Sequence, residues 1–448
     1  MDGFLMFVKR FIPSFIFDFF QPGYHRIFSL LSAFVYGHPS RDMTVIGVTG
    51  TNGKSTVVEL VSRILEEKGW KVASASSIRF KVGAREWPNE RKMTVPGRFF
   101  LQKFLYEAKK EGATHAVLEA TSEGIKQFRH EGIDWDILVL TNVAPEHIEA
   151  HGSFEAYKKI KEKLFEGLAL TGRKKNQPKI IIVNGDDASR EDFLEYEADQ
   201  KWVFSKVSNA GFRVRHIRVL NPKSFSLGPR GIEIDIDSEL ISSPLLGEFN
   251  FYNILAAVAV ARALNLTWEE IKKGVLKVNL IPGRMEFVQK EPFSVVVDYA
   301  HTPDALLQVY KTLISYKLTA DSYKLICVLG SAGGGRDKWK RREMGRIAAE
   351  HCSRIIVTNE DPYDEDPVGI INEVAAGAEE KLRELGVKPA REKILKIIDR
   401  KEAINSAVKS ARPGDTVIIT GKGCEPFIMG PGGQKIPWDD RQTAREAL

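Results

Sequence analysis

The chain of 448 residues is 43% apolar and 28% charged, which excludes a disordered or fibrous protein and allows two or three domains with cores of their own. A net charge of +6 is small for this length, and no Lys/Arg stripe interleaved with aromatics stands out, so nucleic acid is not expected as a partner; a mildly basic balance suits an enzyme that handles phosphates. Cys327, Cys352 and Cys424 lie far apart and are odd in number, a spacing that gives no disulfide or zinc framework and fits a reducing cytoplasm.

Residues 1–40 are rich in Phe, Ile and Leu but broken by Lys9, Arg10, Pro13, Asp18, Pro22 and Arg26. The longest uncharged run, Ile27 to Ser40, is too short to span a bilayer, which takes about 20 residues, and no small-residue cleavage site follows it. Residues 1–42 therefore read as two short helices packed on the body of the protein, with a helix lying on a membrane surface as the alternative. "MTVIGVTG" is a buried strand, and "KSTVVELVSRILEEKGW" a helix stopped by Gly69. Between them, Gly50, Thr51, Asn52, Gly53, Lys54, Ser55 and Thr56 form a phosphate-binding loop. Its backbone N–H groups and the following helix N-terminus face an anion, Lys54 neutralises phosphate charge, and the Ser55 hydroxyl suits Mg²⁺. The common loop has a glycine where this chain has Val48.

"HAVLEAT", "DILVLTNV" and "KIIIVNGDD" continue the alternation of strands with helices, which predicts an α/β fold with a mostly parallel sheet. Glu119 ends one of these strands, where a carboxylate faces the crevice at the sheet's carboxyl edge; alone it reads more often as a solvated strand end. His147 and His151 have a metal-like spacing but lack the glutamate that the zinc-protease pattern places after its first histidine. With Ser55 and Glu119 as oxygen donors, Mg²⁺ is the better expectation. A second α/β series follows "IPGRMEF": "FSVVVDYAH", "YKLICVLGSAGGG", "SRIIVTNEDP" and "DTVIITGKG". A boundary near Pro282–Gly283 divides a central mononucleotide-binding domain, 43–283, from a C-terminal Rossmann-like α/β domain, 284–448.

Together these segments resemble the Mur ligases, ATP-dependent amide-bond-forming enzymes of cell-wall synthesis, whose phosphate loop reads Thr-Gly-Thr-Asn-Gly-Lys-Thr/Ser and stands here as Thr49 to Ser55. The resemblance runs from about Met43 to the C-terminus and is nearest the tripeptide-synthetase branch. "TVPG", "TSEGIKQFR", "GEFNFYN", "GRMEF", "VDYAHTPDAL", "GGGRDKWKR", "NEDPYDEDP", "GKGCE" and "WDDRQTA" carry it. It implies ATP and two Mg²⁺ ions. Lys54 is implied to be catalytic with Glu119, His147 and Lys161, the last as a carbamate, and Ser55 joins Glu119, His147 and Lys161 at metal. Asn253, Arg284 and Asp298 are implied as nucleotide contacts. Thr94, Thr121, Ser122 and Arg129 would hold a muramoyl-peptide-like carboxylate donor; Arg336, Asp361, Tyr363, Gly421 and Glu425 occupy acceptor positions. Without the resemblance, Lys161 reads as one more helix-surface lysine.

Two departures from the family pattern matter. Family members carry an N-terminal domain that grips uridine diphosphate, whereas this chain reaches its loop within about 50 residues, short for a folded domain; a lipid-linked donor would suit the apolar segment found there. In the acceptor motif, Asp-Asn-Pro-Arg of diaminopimelate-adding members reads Glu360, Asp361, Pro362, Tyr363. Tyrosine cannot make the bidentate charge pair, and the acidic run Glu360, Asp361, Asp364, Glu365, Asp366 points to a cationic acceptor such as lysine or ornithine, or else to a solvated acidic loop. The expectation is an ATP-dependent amino-acid ligase acting through an acyl phosphate. The alternatives are a sister ligase on a pseudomurein, polyglutamate or lipid-linked substrate, and a non-ligating, membrane-docked ATP-binding scaffold. The sequence leaves the oligomeric state open.

Overall fold

A computed structural model describes residues 14–91, 93–94, 97–207, 211–316, 323–387 and 393–448. Two sheets, each covered by helices on both faces, organise the chain. The larger has nine strands: β1 (Thr44–Thr49), β2 (Val72–Ala75), β3 (Arg79–Val82), β4 (Arg85–Pro88), β5 (His115–Glu119), β6 (Ile137–Leu140), β7 (Ile180–Asn184), β8 (Gln200–Phe204) and β9 (Ile217–Leu220). Their order is β4-β3-β2-β5-β1-β6-β7-β8-β9, parallel from β2 to β9, with the β3–β4 hairpin antiparallel at one edge.

Alternation along the strands builds two cores. Ile46, Val48, Val117, Ile137, Val139, Ile180 and Ile182 face the helices Lys54–Glu67 and Glu248–Ala263. Val45, Ala116, Leu118, Leu138, Leu140 and Val183 face the helices Arg98–Lys110 and Phe154–Glu166. Each such side chain, fully buried, contributes about 1.5–3 kcal/mol. Because β5 and β6 flank β1, the chain winds outward in both directions from it, and the crevice at its carboxyl end is where this class of sheet binds ligands.

A ribbon of β10 (Ser224–Gly228), β11 (Gly231–Ile236) and β12 (Glu239–Ser243) lies on this body. Ile232, Ile234 and Ile236 point inward at the strand period of two, and Asp237 and Ser238, both at positive φ, make the tight turn between β11 and β12. The sequence reading did not resolve this ribbon or the β3–β4 edge hairpin. The second sheet holds β13 (Glu286–Gln289), β14 (Ser294–Val297), β15 (Leu325–Leu329), β16 (Arg354–Thr358), β17 (Ile394–Ile397) and β18 (Thr416–Ile419) in the order β13-β14-β18-β15-β16-β17; only β13 is antiparallel. A short pair, β19 (Phe427–Met429) and β20 (Lys435–Pro437), follows it. The strands expected from "MTVIGVTG", "HAVLEAT", "DILVLTNV", "KIIIVNGDD" and the four later segments all form.

The N-terminal segment is described in part. Among the described residues, a helix of 22 residues, Ser14–Val35, and a 3-10 turn, Pro39–Asp42, lead into β1; residues 1–13, where the other part of the expected helical segment falls, lie outside the described residues. Pro22 and Gly23 do not break the helix. Among the described residues no helix is long and apolar enough to cross a membrane.

Candidate functional site

The carboxyl ends of both sheets converge on one cleft. On the larger sheet, Gly50 and Gly53 take positive φ. A side chain on Gly50 would meet Thr141 Oγ1 at 1.9 Å and one on Gly53 would meet Asn253 Oδ1 at 2.2 Å, so both positions demand glycine for conformation and for space. Thr51 Oγ1 accepts from the Ala144 amide at 3.0 Å and lies 3.0 Å from the Tyr157 hydroxyl, while the Asn52 amide donates to Asn142 Oδ1 at 2.9 Å. These bonds splay the loop open above the Lys54–Glu67 helix. Lys54 Nζ donates to the Thr51 carbonyl at 2.8 Å, folded back over the loop it serves. Thr56 lies beside Gly53 on the nucleotide side of the cleft.

Ser55 Oγ donates to Glu119 Oε2 at 2.7 Å, and the same oxygen accepts from the Ser77 amide at 2.9 Å. Ser77 Oγ closes the group at 2.8 Å from Ser55 Oγ. These hard oxygens, with His147 on the same basin, are the kind of donor Mg²⁺ takes. Among the described residues no cluster of three or more His, Cys, Asp or Glu forms a metal site by itself, so a cation here would depend on Ser55 and on donors from ligands or from a modified lysine. His147 stands at φ 55°, and burial, joined by the positive charges of Arg336, His301 and Lys340, holds its pKa down to about 4 against the pull of Glu146; the ring is neutral at pH 7.

Lys161 is 1% exposed. It lies behind the phosphate loop rather than on the basin wall, with Nζ donating to the Gly50 carbonyl at 2.8 Å and 4.5 Å from the Tyr157 ring centroid. Burial, and then the Lys54 charge, pull its pKa well below the usual lysine range. A neutral amine in this position is the form that reacts with carbon dioxide. His151 does not converge with His147; the two rings stand edge to face, 6.3 Å apart.

Two connected cavities fill the cleft. The first, about 410 Å³, runs past Asn52, Gly53, Asn253, Arg284, Asp298 and Asp304. Asn253 Nδ2 donates to Asn250 Oδ1 at 3.0 Å, and the Arg284 guanidinium sits 4.2 Å from the Tyr299 ring centroid. Each Asp298 oxygen accepts one backbone bond, from Met285 and Ala300, at 2.7 Å. The second cavity, about 490 Å³, joins Lys54, Ser55, Glu119 and His147 to Thr94, Thr121, Ser122 and Arg129 on one side and to Arg336, Glu360, Asp361, Tyr363, Gly421 and Glu425 on the other. Thr121 caps a helical turn through the Gly124 amide, and Arg129 Nη2 donates to Gln127 Oε1 at 2.6 Å.

The acidic run sorts into separate roles. Asp361 Oδ1 accepts from the buried Lys422 ammonium at 2.9 Å and from the Met429 amide. Asp364 accepts from the Gly432 amide, Glu365 pairs with Arg341 at 2.7 Å, and Asp366 caps the Pro367–Glu384 helix. Glu360 is the exception. It is 4% exposed, lines the cavity, and its Oε2 has no hydrogen-bond partner. Burial, with Asp361 beside it, pushes its pKa up. Gly421, at φ 107°, leaves the room this carboxylate occupies, for a side chain there would meet Oε2 at 2.4 Å. Tyr363 is hydrogen-bonded to Arg336. Glu425 ties Lys422, at 2.6 Å, to the Tyr299 hydroxyl, at 2.9 Å.

Contacts between the two sheets' loops complete the site. His301 Nε2 lies 3.2 Å from Glu146 Oε1, Asn52 Nδ2 donates to Asp304, and Asp337 accepts the Ile148 and Glu149 amides at 3.1 and 2.8 Å. Glu146, His301 and Ser77 were not singled out from the sequence, and Glu360 was named only as one member of the acidic run. Glu146 and His301 stand inside quoted motifs, but their pairing across 155 positions leaves no local signal.

The Mur ligase middle domain matches residues 48–261 and the Mur ligase glutamate ligase domain residues 283–423. The chain is 37% identical over 430 residues to a UDP-N-acetylmuramyl-tripeptide synthetase of Roseiflexus sp. (strain RS-1), covering 93% of this chain and 81% of the relative. It is 34% identical over 415 residues to a UDP-N-acetylmuramoyl-L-alanyl-D-glutamate–2,6-diaminopimelate ligase of Halalkalibacterium halodurans, covering 92% and 80%. A solved structure of a ligase of that second name superposes with TM-score 0.58 at 30% identity, over 90% of this chain and 78% of the other. A Mycobacterium tuberculosis folylpolyglutamate synthase complexed with ADP and AMPPCP shares the fold, with TM-score 0.67 at 16% identity over 88% and 92%.

Proposed function

We propose a reaction for this chain from one premise: it belongs to the Mur ligase family and is an ATP-dependent acid–amino-acid ligase. The reaction joins an amino acid to the terminal carboxylate of a UDP-N-acetylmuramoyl-dipeptide or a closely related cell-wall precursor. The γ-phosphoryl group of ATP passes to the donor carboxylate, giving an acyl phosphate and ADP. The amine of the acceptor then attacks the acyl carbon, and inorganic phosphate leaves as the amide forms.

The observation that carries this reading is the single cleft in which the phosphate loop, the Glu119 group and the second sheet's charged loops face one another. Triphosphate and carboxylate repel, so catalysis here is positioning and charge screening rather than attack by a protein nucleophile. Lys54 swings from the Thr51 carbonyl onto phosphate oxygens. Bound Mg²⁺ would supply further screening, held by Ser55, Glu119, His147 and Lys161. The buried position of Lys161 beside the loop supports its carbamylation, which turns a repelled cation into an oxygen donor. Asn253, Arg284 and Asp298 take the nucleotide, while Thr94, Thr121, Ser122 and Arg129 take the donor peptide. The linker at Pro282–Gly283 serves as the hinge between 43–283 and 284–448.

For the acceptor, a cationic amino acid is the better fit. Glu360 leaves Oε2 without a hydrogen-bond partner in the cavity wall, and a buried carboxylate gains most from an ammonium that reaches it; Arg336 holds the α-carboxylate. The test is mass spectrometry of products after incubation with ATP, Mg²⁺, the UDP-muramoyl dipeptide and a mixture of lysine, ornithine and diaminopimelate. One added residue per phosphate released is expected, with lysine or ornithine preferred. Preference for diaminopimelate overturns the acceptor assignment alone. ATP binding with no phosphate release dependent on both donor and amine overturns ligation and leaves the scaffold.

A further inference from the structure

Over residues 23–35 the Ser14–Val35 helix is amphipathic the wrong way round for a helix docked on a protein body. Among the described side chains, Ser29, Ser32 and Ala33 are buried against the body. Ala33 comes so close to Gly132 that a side chain there would overlap it, and Ser32 Oγ satisfies itself on the Ser29 carbonyl at 2.7 Å. The large apolar residues point the other way. Ile27, Leu30, Leu31, Phe34 and Val35 follow the i, i+3, i+4, i+7, i+8 spacing of one face, and all five are exposed, Ile27 at 64% and Phe34 at 73%. Leaving such a stripe in water forgoes the burial that normally holds a helix in place, and contiguous exposed apolar surface marks an interaction site.

The charge at its borders selects the occupant. Arg26 flanks the face at one end, its side chain 61% exposed and 3.7 Å from Glu131, and Arg41 follows the other end at 62%, 3.3 Å from Asp134. Lys110 lies over the Tyr106 ring, which packs on Tyr36 at that same end. Over residues 1–41 the sequence sets Lys9, Arg10, Arg26 and Arg41 against Asp2 and Asp18 only. Exposed pairs of this kind are weak, so both arginines stay open to anionic headgroups, and an anionic lipid surface meets the apolar stripe and its basic ends together. We propose that this helix lies in the headgroup region of an anionic membrane, holding the ligase at the bilayer surface by the Ile27–Val35 face without crossing it. The proposal is independent of the ligation chemistry and stands or falls by lipid binding.

Co-sedimentation of the full chain with phosphatidylglycerol–phosphatidylcholine vesicles and with phosphatidylcholine vesicles tests it, alongside light scattering without lipid. Expected is partition onto the anionic vesicles that weakens with salt, falls at least about tenfold in the Leu31→Asp/Phe34→Asp double variant, and loses its anionic preference in Arg26→Glu. All variants are expected to keep the wild-type circular dichroism spectrum and ATP affinity. Equal pelleting with and without vesicles overturns the proposal. So does a concentration-dependent dimer abolished by the double variant, which would make the occupant a second copy.

Discussion

The two walls of the cleft differ in how they wait for ligand. On the phosphate-loop wall, polar groups satisfy one another: Ser55 with Glu119 and Ser77, Thr51 with Ala144, Lys54 with Thr51, Lys161 with Gly50. On the second wall, Arg336 is hydrogen-bonded to Tyr363, and Asp361, Lys422, Glu425 and Tyr299 form a chain, but Glu360 keeps an oxygen with no partner. The first wall exchanges bonds when nucleotide arrives. The second gains one that it lacked. Loss of a residue on the first wall should therefore act on catalytic rate, and loss of Glu360 on the choice of substrate.

The largest expected effect is on the first wall. Lys54→Ala should lower kcat for ligation by about 10³-fold, as removal of a positioned charge does in phosphoryl transfer, measured as amine-dependent phosphate release; a drop below tenfold would refute its role. Glu119→Gln should lower kcat by about 10²-fold and raise the Mg²⁺ concentration needed for half-maximal rate. Lys161→Ala should cost about as much as Glu119→Gln. A carbonyl resonance derived from isotopically labelled bicarbonate should appear in the wild type and not in this variant; its absence from the wild type would reduce Lys161 to a tether for Gly50. On the second wall, Glu360→Gln should lower kcat/KM for lysine by about 10- to 100-fold with the KM for ATP unchanged, which separates acceptor selection from nucleotide binding.

A further effect, outside the cleft, is on stability. Burial holds the His115 and His130 pKa values down to about 4, from an ordinary 6.5. The unfolded chain therefore takes up their protons first as pH falls. The stability this confers is full above about pH 6.5 and is lost as pH drops toward 4, by at most about 3 kcal/mol per residue. His115 stacks on Trp70 with ring centroids 4.0 Å apart, so His115→Phe should keep the stack and flatten the acid limb of a denaturation series. An unchanged slope would locate the acid sensitivity elsewhere.

Legibility from sequence followed the range of the interaction. The strand ending at Thr49, the glycine loop and the helix starting at Lys54 announce themselves locally, because apolar runs, glycines and helix spacing act over a few residues. So did the acidic stretch, yet its composition misled as to number: four of its five carboxylates are engaged in caps and ion pairs, and only the fold reveals that Glu360 is the one left over. The edge hairpin β3–β4 was missed because strands of four residues, one of them largely exposed, carry little periodicity. Pro22 shows the limit of a local breaker signal, since the helix Ser14–Val35 runs through it.

The hydrogen bond between Glu146 and His301 has a consequence for timing. It ties a loop beside the phosphate loop to a loop of the other sheet, so in the proposed reaction the carboxylate would be activated only while the half that holds the amine is seated. An acyl phosphate is squandered if water reaches it before an amine does. Under the proposed reaction this part-buried contact, with the Asn52–Asp304 and Asp337 bonds beside it, would act as an interlock, discouraging idle hydrolysis of ATP when nothing waits to be joined.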